Sequence, residues 1–290
     1  MPGKRPALAV IAALSVALSG LAGLLLGSAG AEAATITLCH EQTASVADGR
    51  YTVASNEFGS GARECITTAG KAMFAVADSA IVNAANGPPG AYPSIYQGCH
   101  WGRCSSGLLA ATPVRVSSLN AGRVTTSWST KQPGGSSAYD VAYDIWFNKT
   151  PATSGQPNCA EMMVWLNHNG GVRPFGSQVA SSATIGGHAY NVWEGQQPTW
   201  KTITYDMTAP AASVSRLDVG TLARDAVSRG FLPRSCYLID VEAGFELWRG
   251  GDGLATRSFS VRVADGTAHA ATPVRGARNR QCPAGRPFGE

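Results

Sequence analysis

The chain has 290 residues, of which 23 are basic and 19 acidic, giving a formal net charge of +4. This small charge, with no basic stripe along the chain, excludes the electrostatic footprint of a nucleic-acid-binding protein. Only 14% of the residues are charged and 34 are glycine, which is typical of secreted all-β proteins, and the length is sufficient for one β domain.

Residues 1–33 have the pattern of a secretory signal peptide. A basic start at Lys4 and Arg5 precedes an apolar run over 7–26, and Ala-Glu-Ala at 31–33 fits a processing site. We expect cleavage after Ala33, export to the extracellular space, and no membrane attachment afterwards. A retained anchor is the alternative, because about 20 apolar residues can span a bilayer.

From residue 34 to 263 the chain alternates between short apolar runs and turn residues, which predicts a β-sandwich or barrel. The spacing of apolar residues over 217–229, followed by Gly230 and Pro233, predicts a single helix packed on a sheet. Residues 264–290 have no periodic pattern and are expected to form a flexible tail. Examples of the predicted strands are 50–54, 71–76, 113–116, 124–128, 139–147, 161–166, 188–193, 199–205, 237–248 and 256–263.

Seven cysteines in an exported chain favour disulfides over metal thiolates. Cys99 and Cys104 flank a turn-like His-Trp-Gly-Arg stretch and are predicted to pair, and Cys39 and Cys65 bracket a predicted hairpin and form the second pair. No C-x-x-C motif occurs and the five histidines are scattered, so no metal site is predicted. Three cysteines cannot all pair within one chain, and the fate of the remaining ones stays open: Cys159, Cys236 and Cys282.

Two predicted strands carry a glutamate where the pattern asks for an apolar residue. These are Glu161 in AEMMVWL (160–166) and Glu246 in AGFELW (243–248). A lone buried carboxylate costs several kcal/mol or stays protonated, so the two positions need a functional reason. Side chains alternate across a strand, and the face that carries the first glutamate comprises Glu161, Met163, Trp165 and Asn167.

Two further strand faces have the same composition. One face of strand 139–148 carries acids and a tryptophan opposite a purely apolar face, and strand 237–248 does likewise. Together they predict a concave groove that suits a polar ligand with flat apolar faces, such as a sugar. Two carboxylates across such a groove can cleave a glycosidic bond, one donating a proton and the other attacking the anomeric carbon or activating water. The acids and tryptophans concerned are Asp140, Asp144, Trp146, Asp240, Glu242, Glu246 and Trp248.

The glutamate segments are accompanied by other short motifs in a fixed order. EMMVWL at 161–166 and GFELW at 244–248 are joined by YDIW at 143–146, PFG at 174–176 and AYPS at 91–94. In this combination the chain resembles glycoside hydrolase family 12 from about residue 35 to 263. That family comprises secreted endo-β-1,4-glucanases with a β-jelly-roll fold and a long open cleft.

The resemblance implies an all-β jelly roll of two sheets with a concave substrate cleft and one packed helix. It implies hydrolysis with retention of configuration and no metal or organic cofactor. Glu161 would be the nucleophile, Glu246 the general acid and later the base, and Asp144 the acidic neighbour of the nucleophile. The implied substrate-binding positions are Asn56, Phe58, Trp165, Asn167, Pro174, Trp193 and Trp248.

One departure concerns the distal sugar site, where the family commonly has Asn-Asn-x-Trp-Gly and this chain has Ser-Asn-Glu-Phe-Gly at 55–59. Phe58 offers less stacking area than tryptophan, and Glu57 adds charge. Substrate preference at this end of the groove is therefore left open.

We predict a monomeric, secreted enzyme that cuts internal β-1,4 bonds of cellulose or mixed-linkage glucan. The alternatives are a xyloglucan-specific enzyme on the same fold and a non-catalytic, lectin-like glucan-binding module. Within the site, Glu242 is the alternative acid, whereas Asp140 is interpreted as a solvated or hydrogen-bonded strand residue. Other residues are interpreted as follows: Trp128 and Trp200 as ordinary strand residues, and His100 and His168 as the histidines near the groove.

Overall fold

The alternation of apolar and polar residues produces two stacked β-sheets in the computed structural model, which describes residues 34–264. The predicted signal peptide and all but the first residue of the predicted tail lie outside the described residues. The first nine strands are β1 (Ile36–Cys39), β2 (Thr43–Val46), β3 (Tyr51–Ala54), β4 (Glu64–Thr68), β5 (Phe74–Ser79), β6 (Ser94–His100), β7 (Arg103–Cys104), β8 (Val114–Arg115) and β9 (Val124–Lys131). The others are β10 (Ala138–Asn148), β11 (Ala160–Asn169), β12 (Ser177–Ile185), β13 (His188–Gln196), β14 (Lys201–Met207), β15 (Ser213–Asp218), β16 (Tyr237–Gly244), β17 (Leu247–Arg249) and β18 (Ala255–Val263).

The smaller sheet has the strand order β1-β4-β5-β18-β9-β15, and the larger has β12-β13-β14-β11-β10-β16-β6-β3-β2. The short strands β17, β7 and β8 pair with β10, β6 and β16. Within the described residues the named strands pair antiparallel, except that β11 and β14 run parallel. The predicted two-sheet jelly-roll sandwich is confirmed.

The core between the sheets is built from the apolar faces that the sequence predicted. On β10 the side chains of Tyr139, Val141, Tyr143, Ile145 and Phe147 all join it. This burial, at roughly 25 cal/mol per Å² of apolar surface removed from water, holds the sheets together. The opposite face of β10 is thereby left to carry polar residues.

The predicted helix is present as α2 (Val219–Ser228), whereas Leu217 belongs to β15. Asp218 caps α2 by accepting a hydrogen bond from the Thr221 N–H at 3.2 Å, and the apolar side of the helix joins the main core. A one-turn helix, α1 (Leu108–Ala111), and a 3₁₀ turn (Val116–Ser118) were not predicted. They are too short for a helical period to be visible.

Several strands escaped prediction, and the central β6 explains why. Its sequence, SIYQGCH, is buried almost throughout, including Ser94 and Gln97, so polar residues do not mark an exposed face there. The single strand predicted over 237–248 is also wrong in detail, because the pairing stops at Phe245 and Glu246 between β16 and β17. The other strands that lie outside the predicted ranges given above are β1, β2, β4, β7, β12 and β15.

Three disulfides are present in the described residues. The predicted Cys39–Cys65 and Cys99–Cys104 pairs are confirmed. The third, Cys159–Cys236, joins the residue before β11 to the residue before β16. It therefore ties together the beginnings of two strands that flank β10, while Cys282 lies outside the described residues. Among residues 34–264, no helix has the length and hydropathy required to cross a bilayer.

Removal of the Cys159–Cys236 link is expected to destabilise the fold substantially, because the cysteines are 77 positions apart and the link restricts the unfolded chain. For a loop of this length the loss is about 2–5 kcal/mol. Cys159→Ala and Cys236→Ala should lower the free energy of unfolding equally in denaturant titrations, and the double variant should lower it no further. Additive losses would contradict the assigned pair.

Candidate active site

A groove with a volume of about 1370 Å³ crosses the concave face of the larger sheet. Its lining includes the three predicted acids, Glu161, Glu246 and Asp144. All but one of the predicted ligand-binding positions also line it, and these are Asn56, Phe58, Trp165, Pro174, Trp193 and Trp248. Residues of β10, β11 and β17 thus meet on one surface.

Glu161 is buried, and its carboxyl group accepts a hydrogen bond from a residue of β14. In the parallel pairing it lies opposite Thr202, whose Oγ1 donates to Glu161 Oε2 at 2.7 Å. Trp200 Nε1 donates to the same oxygen at 3.1 Å. Burial raises the pKa of Glu161, and these two donors oppose that rise because they stabilise the carboxylate. The arrangement favours a fixed carboxylate with one oxygen, Oε1, left for other contacts.

Glu246 is held by Asp140 where β16 gives way to β17. The Asp140 N–H donates to the Glu246 carbonyl at 3.1 Å. In return, the Glu246 N–H donates to Asp140 Oδ1 at 3.0 Å instead of to a backbone carbonyl. The interpretation of Asp140 as a hydrogen-bonded strand residue agrees with this contact, although its side chain is fully buried rather than solvated.

The surroundings of Glu246 favour its protonated form. Burial raises the pKa of Glu246 well above its usual range, and the neighbouring charges of Asp140 and then Glu161 raise it further. Burial likewise raises the pKa of Asp140 to about 8. Burial and the neighbouring acids therefore favour the protonated Glu246 carboxyl, which can donate its proton. The pKa of Glu161 is raised by burial as well, but two hydrogen-bond donors oppose that rise, whereas the acidic neighbours of Glu246 add to it.

Asp144 lies next to both glutamates on the groove face of β10. Burial raises its pKa well above the usual range, with smaller contributions from the charges of Glu161 and Glu246. Its Oδ1 is buried without a hydrogen-bond partner in the described residues. Since the three acids interact, their proton affinities belong to the group rather than to any single residue.

Three tryptophans pack edge to face beside Glu161. The ring of Trp146 lies 4.9 Å from that of Trp101 and 5.5 Å from that of Trp200, centroid to centroid. Trp200 was interpreted from the sequence as an ordinary strand residue, but it precedes β14 and contacts Glu161. Nothing in its local pattern indicates this contact. Trp101 has a positive φ of 43° in the turn closed by the Cys99–Cys104 disulfide, and this turn presents its ring to the groove.

The prediction that Asn167 lines the groove is wrong. A β-bulge shifts the register between β10 and β11, so that Trp165 lies opposite Ala142 but Asn167 lies opposite Val141, a core residue. The extra residue turns Asn167 away from the groove face. Its Nδ2 instead donates to Gln132 Oε1 at 2.6 Å. Strict alternation could not anticipate this bulge.

Two exposed phenylalanine rings, from loops after β3 and after β11, extend the groove. Phe58 is 58% exposed and Phe175 is 46% exposed, and both line it. Glu57, whose charge the sequence placed next to Phe58, is largely buried and pairs with His40 Nδ1 at 2.9 Å. The groove therefore offers flat apolar surfaces at a distance from the acids. Of the two histidines singled out earlier, His100 lines the groove and His168 does not.

Comparison with known proteins shows which family has this architecture. Residues 49–264 match the family model described as glycosyl hydrolase family 12. A probable cellulase of Mycobacterium tuberculosis is 36% identical over 125 residues, covering 43% of this chain and 81% of that protein. A probable xyloglucan-specific endo-β-1,4-glucanase of Aspergillus clavatus is 30% identical over 255 residues, covering 83% and 97% respectively.

Solved structures agree with the sequence comparisons. An endoglucanase of Rhodothermus marinus superposes with a TM-score of 0.73 at 39% sequence identity. The superposition covers 79% of this chain and 99% of that one. The similarity therefore includes the whole of the neighbour's fold.

Replacement of Thr202 by valine is expected to raise the pKa of Glu161, because a donor to its charged form is lost while the shape is kept. A ¹³C NMR titration of the side-chain carboxyls should show its midpoint at higher pH than in the wild type. Thr204→Val is the matched control, since Thr204 is buried on the same strand face and its hydroxyl has no hydrogen-bond partner within residues 34–264. A midpoint unchanged by Thr202→Val would contradict the assigned hydrogen bond.

Proposed function

The chain belongs to glycosyl hydrolase family 12, and on this basis we propose that it is a secreted, monomeric endo-β-1,4-glucanase acting with retention of configuration. Its substrate is a polysaccharide bound along the groove, cellulose or mixed-linkage β-glucan. The observation that carries the proposal is the presence of Glu161 and Glu246 in one groove, where two donors hold the Glu161 carboxylate and neighbouring acids favour protonated Glu246.

In the first step Glu161 attacks the anomeric carbon as the glycosidic bond breaks. The bond electrons go to the leaving oxygen, which takes the proton of Glu246. The products are a glycosyl ester on Glu161, a released chain end with a free hydroxyl, and Glu246 as carboxylate. The hydrogen bonds from Thr202 and Trp200 hold Glu161 Oε2, so that Oε1 is the oxygen free to attack.

In the second step the Glu246 carboxylate accepts a proton from water, whose oxygen attacks the same carbon from the opposite side. The ester bond breaks, its electrons return to Glu161, and Glu246 is protonated again. Two inversions at one carbon give net retention. Asp144 supports the cycle electrostatically, since its proton affinity depends on the charges of both glutamates.

Glu161→Gln is expected to lower kcat on barley β-glucan by about 10⁴-fold or more, because no covalent intermediate can form. Glu246→Gln should be comparably slow on this substrate. It should retain the first step on an aryl β-cellobioside with a good leaving group, where no proton is needed, which a burst of released phenol would report. Asp206→Asn is the control, a buried acid on β14 that lies outside the groove lining.

Wild-type activity of Glu161→Gln would refute the assignment of the nucleophile. Binding of glucan by the wild-type chain with no release of reducing ends would instead favour the lectin-like alternative. Proton NMR of the first-formed anomer tests the stereochemistry, and an α-anomer released first would refute retention.

A xyloglucan-specific activity is the second candidate, favoured by the similarity to the Aspergillus clavatus protein over 97% of its length. A larger rate of reducing-end release from xyloglucan than from barley β-glucan or carboxymethylcellulose would decide for it. The open, Phe58-containing end of the groove is compatible with either substrate, because the ring offers stacking area without enclosing the sugar.

Phe58→Trp is expected to strengthen binding of an unbranched glucan, since the larger ring covers more of the sugar face. An additional 40 Å² or so of buried apolar area contributes about 1 kcal/mol, or roughly a fivefold lower KM with kcat unchanged. Phe58→Ala should raise KM. Val82→Ala, which removes an exposed apolar side chain outside the groove lining, should change neither constant, and an equal effect there would contradict the stacking role.

A further inference from the structure

A cluster of three metal-ligating side chains lies beside the groove and takes no part in the mechanism above. It consists of His100, Asp240 and Glu242, whose ligating atoms all lie within 4.8 Å of one another. His100 comes from β6 and the two acids come from the neighbouring β16. About 140 positions of sequence separate them, which is why the spacing of histidines and acids predicted no metal site.

The three side chains converge because Gly98 leaves a space in the sheet. Gly98 lies opposite Asp240 in the β6–β16 pairing and has a φ of 136°, which favours glycine. A Cβ built there would lie 2.5 Å from Asp240 Oδ1. The Asp240 carboxyl therefore occupies the position that a side chain of residue 98 would take, and Glu242 and His100 meet beside it.

Asp240 is the unexplained member of the cluster. It is fully buried, and neither of its carboxyl oxygens has a hydrogen-bond partner in the described residues. Burial raises its pKa well above the usual range, and the charge of Glu242 adds to that effect. A buried carboxyl without a partner is costly, so an occupant that supplies the missing contacts would stabilise the fold.

The Glu242 carboxyl is held in place beside Asp240 by two contacts. Its Oε1 accepts a hydrogen bond from Ser94 Oγ at 2.5 Å, and its Oε2 lies 2.9 Å from His100 Nδ1. This is the arrangement of a metal-ligating carboxylate with an outer partner on its second oxygen. The His100 ring lines the groove, so the cluster can be reached from solvent.

We propose that His100 Nδ1, Asp240 and Glu242 form a binding site for one divalent cation of the zinc class. One imidazole and two carboxylates are a donor set that Zn²⁺ accepts. Tetrahedral ligands at about 2.0–2.2 Å from the metal lie roughly 3.4 Å apart, so small side-chain rotations from the present arrangement suffice. Binding replaces the His100–Glu242 contact and leaves a fourth position for water.

The proposed site is structural, and neither Glu161 nor Glu246 is among its ligands. The rival explanation is that Asp240 simply stays protonated and the cluster binds nothing. The two explanations differ in what added metal does to the whole chain in the absence of substrate.

The test uses the untagged chain, stripped with EDTA and dialysed, with Zn²⁺ as the probe. We expect uptake of one Zn²⁺ per chain by isothermal titration and elemental analysis, together with a Zn²⁺-dependent rise in Tm. Asp240→Asn should bind at least tenfold more weakly and lose the rise in Tm, and His100→Gln should do the same. Co²⁺ at the site should show the visible absorption of a tetrahedral nitrogen–oxygen ligand set.

Glu64→Gln is the matched control. Glu64 is likewise fully buried, with both carboxyl oxygens unpartnered among the described residues, and burial raises its pKa to about 9, but it is not part of the cluster. It should bind Zn²⁺ as the wild type does. No uptake by the wild type at 1 mM Zn²⁺, or equal uptake by Asp240→Asn, would overturn the proposal whether or not the chain hydrolyses glucan.

Discussion

The concave face of the larger sheet buries more carboxyl groups than it supplies with hydrogen-bond donors, and this desolvation governs the site. The acids lie there because the opposite faces of the same strands are fully committed to the core between the sheets. Each buried carboxyl must be hydrogen-bonded, hold a proton or bind a cation. Glu161 has two donors, and Glu246 faces another acid. The chemistry of the groove follows from that difference in neighbours.

Strand pairing converts sequence positions into this arrangement. The parallel pairing of β11 with β14 brings Thr202 to Glu161. The interruption between β16 and β17 frees the Glu246 N–H for the Asp140 side chain. Strand pairing and side-chain hydrogen bonds thus position both acids before any ligand arrives, which is the kind of preorganisation that electrostatic catalysis depends on.

The sequence predicted what depends on alternation and on local motifs. The apolar and polar faces of β10 and β11, the acids they carry, two disulfides and the position of α2 could all be read from residues near one another. It could not predict what depends on pairing between distant segments. The bulge that turns Asn167 away, the contact of Trp200 with Glu161 and the convergence of His100 with Asp240 all arise from such pairing. The strand β6 was also missed, because its polar residues are buried and do not mark an exposed face.

The parallel pair β11–β14 has a consequence for how the groove can vary. A parallel neighbour cannot be reached by a tight turn, so after β11 the chain crosses to the edge of the same sheet, forms β12 and β13 there, and returns inward as β14. This excursion carries Trp193 and Phe175, which line the groove. Insertions or deletions within it would lengthen or shorten that wall while Glu161 and Thr202 keep their register. The wall formed by β12 and β13 can therefore change, by evolution or engineering, without changing the residues that break the bond.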